Sequence, residues 1–367
     1  MLLRSISLAV IVALCARSAQ ADVATLTPTK DATIFNDGAG NRADGQQSTL
    51  YSGRAGTNTT WPVRRALLAF DVAGALPAGA TITSVQLKLY MSKTVTGAQT
   101  FNVHRLTSGW NEGPASGQSG NGAPASTGDV TWLHTFWNNQ FWSTPGGDFA
   151  TAASASTSVG SSFNWYAWNS TAALVGDVQG WLDAPATNHG WILIGPEGVL
   201  KSAKQFESRE SLPQFRPQLV IDYTPPGPLV YCTAKTNSLG CVPAIGFTGT
   251  PDANAGSGFD IRSTNTLNNK SGLLFYGRLG PASVAFQGGT LCVQAPLIRT
   301  ELQASGGNVA VSDCSGAFHY DFNTRIASGA DPFLLAGITV WSQYWSRDPA
   351  ATFTTNLSDA LRFVIQP

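Results

Sequence analysis

Residues 204–223, KQFESRESLPQFRPQLVIDY, concentrate charge in a chain that is only 12% charged. Lys204, Glu207, Arg209, Glu210, Arg216 and Asp222 all fall in this stretch, within two strand-like alternations separated by a Pro-containing turn. An unpaired charge on a half-buried strand is costly, so these residues need partners. They suit either an ion-pair network or a polar ligand site, and the stretch reads as the closing hairpin of a β-domain. Cutting a glycosidic bond would require a pair of carboxylates. Glu112, Asp129 and Asp148 are the loop acids of that type. The histidines, His104, His134, His189 and His319, sit in no H-E-x-x-H pattern, and there is no G-x-S-x-G or P-loop sequence. Catalytic chemistry therefore has little support.

Binding chemistry has more. WLHTFWNNQFW, residues 132–142, crowds Trp132, Trp137 and Trp142 together with Phe136 and Phe141. Large amphipathic rings suit a surface of mixed polarity, such as a sugar face. Trp137, Trp142 and Trp61 are the ligand-contact candidates, whereas Trp110, Trp132, Trp181 and Trp191 read as core. Arg54, Arg64, Lys88, Lys204 and Arg209 lie on or beside strand patterns. On one face they would form a patch for carboxylated or sulfated groups, with Arg giving two-pronged contacts. Arg65 and Arg209 also have pairing candidates in Glu207, Glu210 and Asp71. One structural Ca²⁺ is the candidate cofactor, held by Asp31, Asp37 and Asp222 with oxygens of Asn36, Asn41 and Asp44. Asp31 and Asp222 meet if the first and last strands are neighbours. A formal net charge of zero gives none of the field expected of a nucleic-acid or anionic-membrane binder.

Short strands must position these side chains. Gly, Ser, Thr, Asn and Pro are abundant, which disfavours long exposed helices. Ser84–Met91 alternates, with Val85, Leu87, Leu89 and Met91 inward. Ala66–Val72 puts Leu68, Phe70 and Val72 on one face. Trp191–Ile194 is continuously apolar, as a strand covered on both sides should be. In Pro217–Tyr223, Leu219, Ile221 and Tyr223 share a face. One helix is expected after Ser170 or Thr171 as N-cap, with Leu174, Val178, Trp181 and Leu182 on one side. The fold class is all-β. A jelly-roll-like β-sandwich with one short helix spans 22–224. A Pro-rich linker follows at 225–228, and a second, smaller disulfide-containing β-sandwich at 229–367. Its cysteines, Cys232, Cys241, Cys292 and Cys314, allow three pairings. Cys232–Cys241 with Cys292–Cys314 is favoured, because each closes a short loop. Residues 1–21 read as a secretory signal peptide cleaved after Ala21, so the mature chain is expected outside the cell with no membrane span.

The ordered set DATIF (31–35), RALLAFDV (65–72), ITSVQLKLY (82–90), GWNEG (109–113), DVTW (129–132), DVQGWL (177–182), NHGWILIG (188–195), FESRE (206–210) and RPQLVIDY (216–223) resembles the DNRLRE, or disaggregatase-related, domain. The resemblance implies an exported β-sandwich module, some of whose relatives are carbohydrate-binding modules for acidic polysaccharides such as alginate. It implies binding of an extracellular polysaccharide without catalysis. A structural or adhesive surface role is the alternative, and a polysaccharide-degrading enzyme the third. CTAKTNSLGCVPAIGFTGTP, FQGGTLCV, QYWSRDP and LSDALRFVI resemble a C-terminal module of unknown function that ends many secreted bacterial proteins.

Overall fold

The computed structural model describes residues 22–56, 62–117 and 120–367. The leader 1–21 and Trp61, both singled out above, lie outside the described residues. The first half of the leading domain gives β1 (Asp22–Leu26), β2 (Lys30–Phe35), β3 (Arg42–Asp44), β4 (Thr49–Arg54), β5 (Val63–Ala69), β6 (Thr81–Lys93) and β7 (Gln99–Arg105). The second half gives β8 (Ala123–Pro124), β9 (His134–Phe136), β10 (Gln140–Phe141), β11 (Ala155–Val159), β12 (Asn164–Trp168), β13 (Trp191–Ile194), β14 (Lys204–Glu207) and β15 (Gln218–Thr224). Among the described residues of this domain, α-helix is limited to a single turn, α1 (Val72–Ala75), and to α2 (Ala172–Asp183). Thr171 is the N-cap of α2, its hydroxyl accepting the Leu174 N–H at 3.0 Å. Leu174, Val178, Trp181 and Leu182 form the buried side, as the spacing requires.

The strands make a β-sandwich of two antiparallel sheets. In the first sheet β6 is the spine. β15 and β14 lie along one edge and β12 along the other, with β1 outside β15 and β4 outside β14. In the second sheet β5 lies between β2 and β13, and β13 leads on to β7 and β11. β4 joins the two: residues 49–52 pair with β14, while Gly53 and Arg54 pair with β5. The crossing needs Gly53. Its φ is 106°, and a Cβ there would stand 2.9 Å from the Ala203 Cα.

Val85, Leu87, Leu89 and Met91 of β6 face Leu68, Val103, Trp191 and Leu193 across the main core. Each fully buried side chain of this kind contributes roughly 1.5–3 kcal/mol. The far side of the second sheet is also covered. Trp110, Val130, Trp132 and Trp142, from the loops after β7, pack with Leu67 and Ile192. That double cover explains the unbroken apolar run of Trp191–Ile194.

Residues 204–223 do not form a hairpin. β14 and β15 lie end to end along one edge of β6, β14 against Met91 and Lys93 and β15 against residues 81–88. Residues 208–217 leave that edge and return to it. Alternation identifies strands but does not name their partners.

Residues 229–365 build their own core. A six-stranded sheet, with Thr339–Arg347 at its middle, faces a three-stranded sheet of Ala244–Thr248, Asp260–Thr266 and Gly316–Asp321. Phe259, Tyr276, Phe318, Tyr344 and Phe363 fill the space between them. The disulfides are Cys232–Cys292 and Cys241–Cys314, spanning 60 and 73 residues, rather than the local pairs expected. Cys232 follows a strand paired with Thr355–Val364, and the Cys292 N–H donates to Gln343 Oε1 in the strand next to that one. Sheet packing, rather than loop length, selects the partner. Arg362 Nη2 reaches back to the Ala78 carbonyl of the leading domain at 3.2 Å.

Candidate functional site

The 208–217 excursion carries Arg209 to the acids. Its Nε donates to Glu112 Oε1 at 2.8 Å and its Nη2 to Glu112 Oε2 at 2.7 Å, with Glu210 Oε1 also 2.8 Å from Nε. The Arg209 N–H donates to Asp31 Oδ2, and the Asp31 N–H to Glu112 Oε1. Burial, reinforced by the Glu210 charge, pushes the Asp31 carboxyl well above the usual range. Glu112 holds the Arg209 pKa up. Arg209 is thus bound into the scaffold rather than presented to a ligand. The three acids weighed for hydrolysis fasten loops: Glu112 also accepts from Gln46, Asp129 takes the Ala115 and Ser126 N–H groups, and Asp148 takes those of Ser143 and Thr144.

Asp31, Glu112 and Glu210 form a group of three with ligand oxygens within 4.8 Å of one another, the one such group among the described residues. Asp37 and Asp222 do not join it. Asp37 caps the N–H groups of Gly40 and Asn41, while Asp222 sits on β15 opposite Val23 and Ser84. The first and last strands do pair, but Asp31 lies on β2 in the other sheet.

Two other sequence candidates, Lys204 and Trp142, are internal. Lys204 is fully buried; its Nζ donates to Thr94 Oγ1 at 2.8 Å and the Gly97 carbonyl at 3.0 Å, and burial lowers its pKa. It pegs loops together and does not reach a surface ligand. Trp142 is buried and gives its Nε1–H to the Thr131 carbonyl, so it is core. Arg65 pairs with Glu197, not with the partners expected, and its guanidinium carbon stands 4.7 Å from the Trp132 ring centre. Arg54 is half-exposed and donates to the Glu197 carbonyl. Trp137 is half-buried. Lys88 lies on the outer face of the first sheet, 5.5 Å from the Trp165 ring centre.

Arg64 leads to a site. A cleft of about 320 Å³ opens where β4 crosses between the sheets, lined by Tyr51, Arg64, Lys93, Lys201 and Gln205 with Gly56 and Gly120 at its walls. Among the described lining residues there are three cations and no carboxylate. Tyr51 Oη donates to Gln205 Oε1 at 3.0 Å, and Gln205 Nε2 to Ser92 Oγ at 3.0 Å. Arg64 is held by the Gly120 carbonyl at 2.9 Å and lies 6.0 Å from the Tyr51 ring centre. Burial draws its pKa down, yet a guanidinium stays charged. A Cβ on Gly120, whose φ is 71°, would sit 2.8 Å from the Tyr51 ring, so glycine lets the loop close onto it. Lys93 and Lys201 are absent from the sequence candidates. Lys93 sits where the β6 register shifts against β14, and Lys201 occupies a turn at φ 62°. The scarcity of lysine was the available signal: only Lys30, Lys88, Lys93, Lys201 and Lys204 occur between 22 and 225.

No helix among the described residues is long and apolar enough to cross a membrane. No curated protein matches the chain. A sequence model of carbohydrate-binding module family 96 matches residues 22–144, the stretch that holds Tyr51, Arg64, Lys93 and Gly120, so this part of the chain is similar to a carbohydrate-binding module.

Proposed function

We propose that the protein is a secreted, non-catalytic module that binds an extracellular acidic polysaccharide in the cleft at the β4 crossing. The observation that carries this reading is the lining: Arg64, Lys93 and Lys201 with no opposing carboxylate among the described residues, beside the hydrogen-bonded Tyr51–Gln205 pair. Carboxylate or sulfate groups of the polymer meet the two exposed lysines, while buried Arg64 gives a fixed positive wall. The match to a carbohydrate-binding family over 22–144 supports the same reading. The two disulfides suit an oxidising compartment outside the cell.

Calorimetry of the full chain against a uronate polymer, a sulfated polymer and a neutral glucan tests it. The charged polymers bind and the neutral one does not. Lys93→Ala and Lys201→Ala each weaken binding roughly 3–10-fold, and added salt weakens it further. Failure of every polymer to bind sinks the proposal.

A structural or adhesive role at the cell surface is the second reading. It is favoured by apolar side chains displayed on the C-terminal domain, including Val309, Phe333, Leu335 and Phe353. Release into the medium with no envelope association counts against it.

A further inference from the structure

Resting on that reading, we infer that the glycan site runs beyond the cleft, across the outer face of the first sheet, onto an aromatic strip of Tyr90, Trp165 and Phe215. Its ligand is therefore a polymer segment several sugars long. Trp165 on β12 stands directly opposite Tyr90 on β6, with ring centres 5.6 Å apart in an edge-to-face arrangement. Phe215, delivered by the 208–217 excursion, stacks on Tyr90 at 4.4 Å. All three rings are half-exposed on the solvent side of the sheet, away from the main core. A depression of about 520 Å³ adjoins Tyr90 and Phe215, rimmed by Ser92, Phe163, Leu212, Glu207 and Glu210.

The strip is continuous with the cleft. Ser92 follows Tyr90 on the same face of β6 and accepts from Gln205, which accepts in turn from Tyr51. From β4 through β14 and β6 to β12 the row makes three inter-strand steps of about 4.8 Å, roughly 14 Å in all. That is longer than one sugar ring. The two ends differ in chemistry. The cleft presents cations to acid groups, whereas the strip presents ring faces, which suit the apolar faces of sugars. Continuity with the cleft identifies the occupant as the same polysaccharide chain, not a second protein.

Calorimetry on the full chain with uronate oligomers, from disaccharide to octasaccharide, tests this. Wild-type affinity rises with length to a plateau. Trp165→Ala or Phe215→Ala removes that rise, costing about 10-fold on the octasaccharide and nothing on the disaccharide, while Trp165→Phe keeps most of it. Lys93→Ala weakens every length. Circular dichroism and melting confirm that each variant is folded; because Phe215 lies on the excursion, its variant stays informative where Trp165→Ala disturbs β12. Unchanged octasaccharide affinity in both folded alanine variants overturns the inference and leaves the cleft reading standing. No binding of any oligomer by the wild type overturns the cleft reading itself. Strip variants that change only the sedimentation of the free protein would make the strip a contact between copies, which also overturns the inference.

Discussion

Arg209 and Glu112 meet across 97 residues of chain in a two-pronged ion pair, with both N–O distances below 3 Å. Asp31 is tied to both of them through backbone N–H bonds. The pair fastens the 208–217 excursion to the loop after β7, so it sets where Phe215 and Glu210 stand relative to β6.

Arg209→Met should therefore lower stability without touching the cleft. It leaves Glu112 without its two-pronged partner, a loss of about 2–4 kcal/mol once partial exposure of the guanidinium is allowed for. Urea denaturation measures the loss, and disaccharide affinity should stay at the wild-type value. A stable variant that fails to bind would show instead that Arg209 contacts ligand.

This pair also marks how far the sequence could be read. The charges of 204–223 point to a network and offer Glu210 as a partner, but nothing in the spacing singles out Glu112, which lies in a loop 97 residues away from Arg209. Strand positions such as Val85, Leu87, Leu89 and Met91, and the Thr171-capped helix, were legible because their periodicity is local. The end-to-end placement of β14 and β15 was not, since both the hairpin and the observed arrangement use the same alternation. Lys204 looked like a surface cation because sequence alternation cannot say which sheet face is inside at the rim of a sandwich. Lys93 was hidden by the register shift that brings it to the cleft.

Stability should fall as pH rises from about 4 to about 7. Burial, with smaller contributions from the Glu210 and Asp129 charges, pushes the Asp44 carboxyl from the ordinary 3.8 up to about 7, and burial moves Asp31 the same way. Asp44 Oδ2 has no hydrogen-bond partner among the described residues. The folded chain keeps a proton that the unfolded chain releases above the ordinary carboxylate pKa. The stabilisation is complete below that pKa and is lost as pH passes through about 7. The slope approaches about 1.4 kcal/mol per pH unit for one such group. Asp44→Asn should flatten the profile between about pH 4 and 7, the window set by the ordinary and folded values, and raise the melting temperature at its upper end. A wild-type profile that rises across this window would contradict the assignment.

Reduction should act on the C-terminal domain alone. Loops of 60 and 73 residues are long, and each closure contributes about 4 kcal/mol in the chain-entropy account. Cys241→Ser with Cys314→Ser should lower the transition of residues 229–367 and leave that of the leading domain in place. Peptide mapping of unreduced protein should recover Cys232 linked to Cys292. Recovery of a Cys232–Cys241 fragment would overturn the pairing.

Calcium should add nothing to the stability of the wild type. The Asp31–Glu112–Glu210 group has the oxygens a cation requires, yet Arg209 already bonds to two of its carboxylates. A divalent ion entering there would meet a fixed guanidinium and would have to displace its hydrogen bonds. Melting curves with Ca²⁺ and with chelator should therefore superimpose. In Arg209→Met the same three acids lose that competitor, and Ca²⁺ in 100-fold excess over its dissociation constant should restore roughly 2.7 kcal/mol. A wild-type melting temperature that falls on chelation would place a cation in the scaffold alongside Arg209, and Glu112→Gln would then identify whether this cluster holds it.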